Sequence, residues 1–503
     1  MSQHIYVAAV EVEHDVDPVH NGATYDLLYA ATKRYAARYG MNVSNNFWGD
    51  GGARFYLDAN KKVEGATGVG LDGTIVATHE IGLSLFWALM AAYADRDLRQ
   101  KPTAMVLKTN TGHNGDSTGG RHINISMPLC GSTFAAQVQK AADFEKAFIV
   151  TWQVIGGAGV VLPRGRATSV LGGYDWDFGI GARGYHVGCV GQKSAANNVT
   201  PDGDKPVIIA RGEPHADSDE FWRKQVCGMD SNILFAPIQL GIDLLLILSE
   251  MTVAEAYEPL QLIEHKAEMS ASRQVSLNWR APLETSKGTM TPLEVQWFYW
   301  RQMWTYVTTV RRGRGLEHMI EWARRLTLFH TEEDFPREAF GVVDWVTKLV
   351  MLMRRDARDG YYLKYWRAEE YHLAYNGFRF RRGALGKPAN LCMPLRLLDQ
   401  FGPPGLLSRA WWSLHEPPPD TRAVAMSRIV KLRLPMALVN WGEWRVDGIA
   451  GSTKIPDPAM ASTPAFDDML DLAVQRDAAK REAERIDREK KAADEAAEVA
   501  DAA

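Results

Sequence analysis

The sequence predicts an α+β protein in which helices pack to one side of a mostly antiparallel sheet. Short segments that alternate with period two dominate its first half, and helix-length apolar repeats dominate residues 237 to 354. The strands precede the helical block instead of alternating with it, which argues against a parallel doubly wound fold. At 503 residues the chain exceeds one ordinary core, so a large and a small domain are expected.

Ile5 to Glu13 reads as a β-branched strand, and Asn21 to Tyr39 as a helix stopped by Gly40. A second strand runs from Ala53 to Asp58, a helix from about Thr78 to residue 96, and further strands at Ala104 to Thr111 and His122 to Ser126. The glycine-rich loop from Gly112 to Gly120 lacks the Gly-Lys-Ser/Thr ending of a phosphate loop. Leu171 to Asp204 is rich in glycine and reads either as a lid or as a packed loop. Pro206 to Ala210 is a strand, and helices follow at 237–250, 293–311, 315–327 and 340–354. Breakers at Gly386-Lys387-Pro388, Phe401 to Gly405 and Pro417 to Pro419 punctuate a small domain. The expected division is 1–389, 390–463 with a last strand at Ala437 to Trp441, and a charged helical tail, 464–503, opened by Thr463-Pro464.

Composition narrows the function. A net charge of −4 offers no basic footprint, so nucleic acid is not an expected partner. The four cysteines, Cys130, Cys189, Cys227 and Cys392, form no CxxC pair and fit reduced thiols better than a zinc site. Met1 to His4 lacks the features of a signal peptide, and the apolar stretch Ile233 to Leu248 carries Gln239 and Asp243 and reads as a buried helix. A cytoplasmic protein with no membrane partner is expected.

Chemistry concentrates in two strands. Alternation over Ala53 to Asp58 puts Arg54, Tyr56 and Asp58 on one face and Phe55 and Leu57 on the other; Glu64 and Thr67 follow. Glu11 and Glu13 likewise share a face of the first strand. Carboxylates from separate strands suit a hard cation carrying phosphates, and Arg54 suits the phosphates themselves. By residue type alone, the same carboxylates could equally be solvated strand ends.

Co-occurring motifs decide between these readings. Ala53 to Thr67, Thr78-His79-Glu80, Lys108 to Thr111, Arg211-Gly212-Glu213-Pro214-His215-Ala216-Asp217, Met229 to Asn232, Val343 to Lys348, Glu370 to His372 and Pro418 to Ala423 resemble, in order, the ligase that attaches the ubiquitin-like protein Pup, and its sister depupylase. The resemblance spans most of residues 1 to 445. It implies a glutamine synthetase-like large domain with a curved, mostly antiparallel sheet backed by helices. It further implies Mg²⁺ held by Glu11, Tyr56 and Glu64, ATP contacted by Arg54, Thr67 and Trp441, and Asp58 as catalytic base. Arg211 suits phosphate recognition or an ion pair; His79 and His215 read as structural. The implied partners are a Pup-like modifier, whose C-terminal glutamate is phosphorylated by ATP, and target proteins whose lysines displace the phosphate.

The chain departs from the family's pattern at Gly51, Lys62-Val63, Val69, Ile123 and Gly212, three of which replace carboxylates. The depupylase carries a long extra loop between the first strand and the aspartate strand, and here only one helix's worth of chain separates Glu11 from Asp58. That spacing favours ligation over hydrolysis. A non-catalytic modifier-binding homologue is the alternative from another class.

Overall fold

The computed structural model describes residues 6–17, 30, 32–34, 46–57, 62–97, 105–108, 120–130, 132–164, 176–183, 192–194, 207–212, 221–263, 271–330, 336–359, 364–378, 392–432, 436–440, 443–446, 453–455 and 461–501. Most of the predicted helix from Asn21 to Tyr39, and all of the glycine-rich loop except Gly120, lie outside them.

The main sheet is assembled on β1 (Val7–Asp17), longer than expected because its two halves have different partners. The other strands are β2 (Asn46–Trp48), β3 (Arg54–Leu57), β4 (Val63–Ala66), β5 (Met105–Leu107) and β6 (Arg121–Pro128). A separate two-stranded sheet, β7 (Val160–Pro163) with β8 (Trp176–Gly179), precedes β9 (Gln192–Ser194), β10 (Ile208–Gly212) and β11 (Phe221–Val226). In space the order is β2-β3-β4-β1-β6-β11-β10-β9, with β5 on the far half of β1 and the short strand Gly377–Phe378 on β5. Every pairing in it is antiparallel except β9 with β10.

Alternation gives the sheet two unlike faces. Val10, Val12, Ile123, Ile125, Trp222 and Val226 face the large core, where helices Gly73–Asp97, Phe134–Thr151 and Phe235–Val253 cover them. Helix Gly73–Asp97 begins earlier than expected. Asp72 accepts from the Ile75 amide at 2.8 Å as its cap, and Gly73 donates to Asp243 at 2.6 Å, a partner no local pattern announces. Helices Gly73–Asp97 and Phe235–Val253 are both long and apolar enough to cross a membrane, yet most of each lies buried inside the protein. The expected burial of the second is therefore observed, over a longer helix.

Charges buried beneath the sheet are paired. Arg121 grips Glu80 through Nε and Nη2, at 3.0 and 2.9 Å, and Lys108 adds a contact at 2.6 Å. Asp230 accepts the amides of Ala158, Ala182 and Arg183 at 2.7, 2.9 and 2.6 Å. Of the glycine-rich stretch from Leu171 to Asp204, residues 176–179 thus form β8, 192–194 form β9, and 180–183 are buried, with the Ala182 and Arg183 amides on Asp230.

Helices Met393–Phe401 and Leu406–Trp412 add Leu395, Leu398, Leu406 and Ala410 to the large core. A smaller cluster joins Ala425, Met426 and Ile429 to Ile455 and to Phe466, Leu470 and Ala473 of the terminal helix Pro464–Asp501. Residues 478–496 of that helix are exposed and laced with pairs such as Arg485–Glu489 and Lys491–Asp487.

Candidate active site

The face of the sheet opposite the core helices carries the predicted chemistry. Arg54 pairs with Ala66 and Tyr56 with Glu64 across β3 and β4; Glu13 pairs with Glu64, and Glu11 with Ala66, across β4 and β1. Directly opposed residues in an antiparallel ladder share a face. Side chains separated by dozens of positions in the chain therefore meet.

Glu11 and Glu64 offer oxygens, and His122 a ring nitrogen, all within 4.8 Å of one another. His122 enters because β6 sets it directly opposite Glu11. Its nearness was missed from sequence, where His122 stands only as the first residue of an altered triplet. The available signal was the alternation of His122 and Asn124 on a strand, which lacks meaning without the register.

Several groups orient the carboxylates. Gln225 on β11 donates to Glu11 Oε2 at 2.8 Å, and His122 Nδ1 lies 3.6 Å from the same oxygen. Glu13 accepts the Gly120 amide at 2.8 Å and stands 3.9 Å from Lys62. Burial, reinforced by the charges of Glu11 and Glu64, holds the Tyr56 phenol well above its usual pKa, and its hydroxyl donates to Glu64. The Arg54 guanidinium lies over the Tyr56 ring, 4.6 Å from its centroid, and 5.9 Å from that of Trp48.

Thr67 is buried, and its Oγ1 accepts the Val10 amide at 3.0 Å, prolonging the β4–β1 junction. Arg211 occupies β10 opposite Arg223. Asp58 and Trp441 lie outside the described residues. Thr421 donates to the Val69 carbonyl at 3.0 Å, and a Cβ on Gly52 or Gly68 would meet Ala423 at about 3 Å. The Pro418 to Ala423 segment is thereby seated beside the loops that lead into Arg54 and out of Thr67.

The departures differ in kind. Ile123 faces the core between Val10 and Val226, so its apolar side chain is on the side away from Glu11. Lys62 lines the site beside Glu13.

An arginine, a phenol and carboxylates converging from adjacent antiparallel strands define a candidate site for a metal-dependent nucleotide enzyme. The chain belongs to the Pup-ligase family, whose model, described as Pup-ligase protein, matches residues 2–444. The Pup–protein ligase of Mycobacterium leprae (strain Br4923) is 26% identical over 349 residues, 68% of this chain and 72% of the relative. That of Mycobacterium avium (strain 104) is equally similar, at 26% over 349 residues. The fold superposes on the ligase PafA in its crystallised complex with the ubiquitin-like protein Pup, with a TM-score of 0.74 at 20% identity, covering 93% of this chain and 92% of that one. A structure of PafA with ADP gives a TM-score of 0.70 at 20% identity, over 91% and 96%.

Proposed function

We propose that this protein is an ATP-dependent carboxylate–amine ligase that joins the C-terminal glutamate side chain of a Pup-like modifier to lysines of target proteins, in the cytoplasm. The observation that carries it is the alignment of Arg54, Tyr56, Glu64 and Glu11 on one face of three adjacent strands in a Pup-ligase family member.

The donor set fits Mg²⁺, since Glu11, Glu64 and the neutral Tyr56 oxygen are hard ligands close together. Bound there, Mg²⁺ would supply positive charge to the ATP phosphates. Arg54 binds phosphate oxygens from β3, and its place over Tyr56 restricts where its fork points. Thr67 and Trp441 complete the nucleotide contacts implied by the family. The γ-carboxylate of the modifier's glutamate takes the γ-phosphoryl group of ATP. The lysine amine then attacks the acyl phosphate, giving up a proton to Asp58 as phosphate leaves.

The experiment supplies ATP, Mg²⁺, a Pup-like peptide ending in glutamate and a lysine-bearing target, and follows phosphate release and conjugate together. Conjugate formation slowed by a factor on the order of 10² to 10⁴ in Asp58→Asn is expected. Cleavage of a preformed conjugate with no net ligation would assign a hydrolase, and phosphate and conjugate both absent would leave a modifier-binding homologue.

A further inference from the structure

His122 meets the site with one edge of its ring and a buried cation with the other. Its Nδ1 lies 3.6 Å from Glu11 Oε2, and its Nε2 lies 3.4 Å from Nη2 of Arg183. Arg183 is anchored. Its Nε donates to the Cys227 carbonyl at 3.1 Å, and its amide donates to Asp230 Oδ1 at 2.6 Å. Backbone also closes the Nε2 edge, since a Cβ on Gly120 would come within 2.7 Å of that nitrogen. Both His122 and Arg183 are buried.

These contacts decide which nitrogen carries the ring proton. A guanidinium donates and cannot accept, so Nε2 offers its lone pair to Arg183 and the proton sits on Nδ1. Nδ1–H then faces Glu11 Oε2, the oxygen that Gln225 Nε2 already reaches at 2.8 Å. A histidine that ligates a metal has the opposite arrangement, with a lone pair toward the ion and its other N–H given to a carboxylate, a carbonyl or water. Ligation through Nδ1 would move the proton to Nε2 and set two donors against each other. Ligation through Nε2 would put the cation where the Arg183 guanidinium stands.

We infer that Arg183 sets the metal specificity of the site: by holding His122 in its Nδ1–H form, it makes the ring a support for Glu11 and keeps imidazole nitrogen out of the donor set. This rests on the metal reading of Glu11, Tyr56 and Glu64 and deepens it. With nitrogen excluded, those three donors are all oxygens and suit Mg²⁺. An imidazole added to them would favour Zn²⁺ and other borderline-soft ions. Arg183 is a positioning residue, and it acts on the site through His122.

The test has two readouts. Nitrogen-15 spectra of the metal-free protein, labelled in its histidines, report the tautomer, and the His122 signals are identified by their loss in His122→Asn. The wild type should show a protonated Nδ1 and a bare Nε2 at His122. Arg183→Met should lose that preference, and Arg183→Lys, which keeps a donor, should retain part of it. Calorimetry in the presence of ADP then compares Zn²⁺ with Mg²⁺. The ratio of Zn²⁺ to Mg²⁺ affinity should rise at least about tenfold in Arg183→Met, the scale of a hydrogen bond to a charged group. That rise should vanish when His122→Asn is added to Arg183→Met. A protonated Nε2 in the wild type overturns the assignment, and this measurement needs no variant to fold. An unchanged ratio in Arg183→Met overturns it too, as does a rise that survives the removal of His122. If the wild type binds ADP but no Mg²⁺ with it, the metal reading falls and the specificity with it; a wrong tautomer beside intact Mg²⁺ binding overturns the role of Arg183 alone.

Discussion

The Tyr56 hydroxyl donates to the Glu64 carboxylate from the directly opposed position of the β3–β4 ladder. Burial and the neighbouring carboxylates keep the phenol protonated, so it is a fixed donor to one proposed metal ligand and a neutral oxygen beside it. Tyr56→Phe removes a hydrogen bond to a charged group, worth about 1.5–3 kcal/mol. Magnesium-dependent nucleotide binding should weaken about tenfold or more while the thermal midpoint moves little. Calorimetry with Mg²⁺ and with EDTA checks this. Unchanged affinity in Mg²⁺ would separate Tyr56 from the metal.

Gly51, which stands where the family has asparagine, is a packing requirement here. A Cβ there would lie 2.1 Å from the Ser413 carbonyl oxygen, and the Gly51 amide already donates to the Leu414 carbonyl at 2.8 Å. Gly51→Asn must push the 413–414 backbone away from the loop that precedes Arg54. Overpacking of this kind costs about 3 kcal/mol. A denaturant midpoint equal to the wild type's would show that the loop yields freely.

Three buried histidines, His14, His79 and His372, cost stability in acid. Desolvation, then the charge of Lys108, lowers the pKa of His14 from its ordinary 6.5 to about 3, and desolvation lowers that of His79 to about 4. Below pH 6.5 the unfolded chain takes up protons that the folded chain refuses. Stability present above pH 6.5 is therefore lost as the pH falls, by up to about 1.4 kcal/mol per pH unit for each histidine. Buried acids act in the opposite sense: burial raises the pKa of Asp243 to about 6 and also lifts those of Asp230, Glu250 and Asp344, so their folded forms gain a proton first. The histidine share is read from the change in urea midpoint between pH 6.5 and 5: in His14→Leu the midpoint should fall less, or rise more, than in the wild type, and an identical slope would place the titration elsewhere.

The sheet strand that carries the chemistry was legible in the sequence because its signal is local. Alternation alone assigned Arg54 and Tyr56 to one face and Phe55 to the other, and β3 has this arrangement. Helices at 292–309 and 316–328 fall within a residue or two of their predicted bounds because their apolar repeats are continuous. What was not legible depends on partners far along the chain. Asp230 collects amides from 158, 182 and 183, and Asp243 holds the start of a helix at Gly73, so neither leaves a periodic trace. His122 gains its meaning only from lying opposite Glu11.

That same register settles what restoring the family's carboxylate at position 123 should do. If Ile123 lined the site, Ile123→Glu would add a ligand and strengthen metal binding. The strand instead sends position 123 into the core, fully buried, with Val10 on one side and Val226 on the other. The buried cations nearby are committed, Arg121 to Glu80 and Lys224 to Glu145 and Ser249. A new carboxylate would therefore be desolvated without a dedicated partner, at a cost of several kcal/mol. Ile123→Glu should fall in soluble yield and in thermal midpoint, and the folded remainder should bind Mg²⁺ and nucleotide no better than the wild type. Ile123→Val, which keeps an apolar chain, should lose only about 1 kcal/mol. A stable Ile123→Glu protein with tighter metal binding would mean that β6 presents position 123, not His122, to the site, and the β1–β6 register would have to shift by one residue.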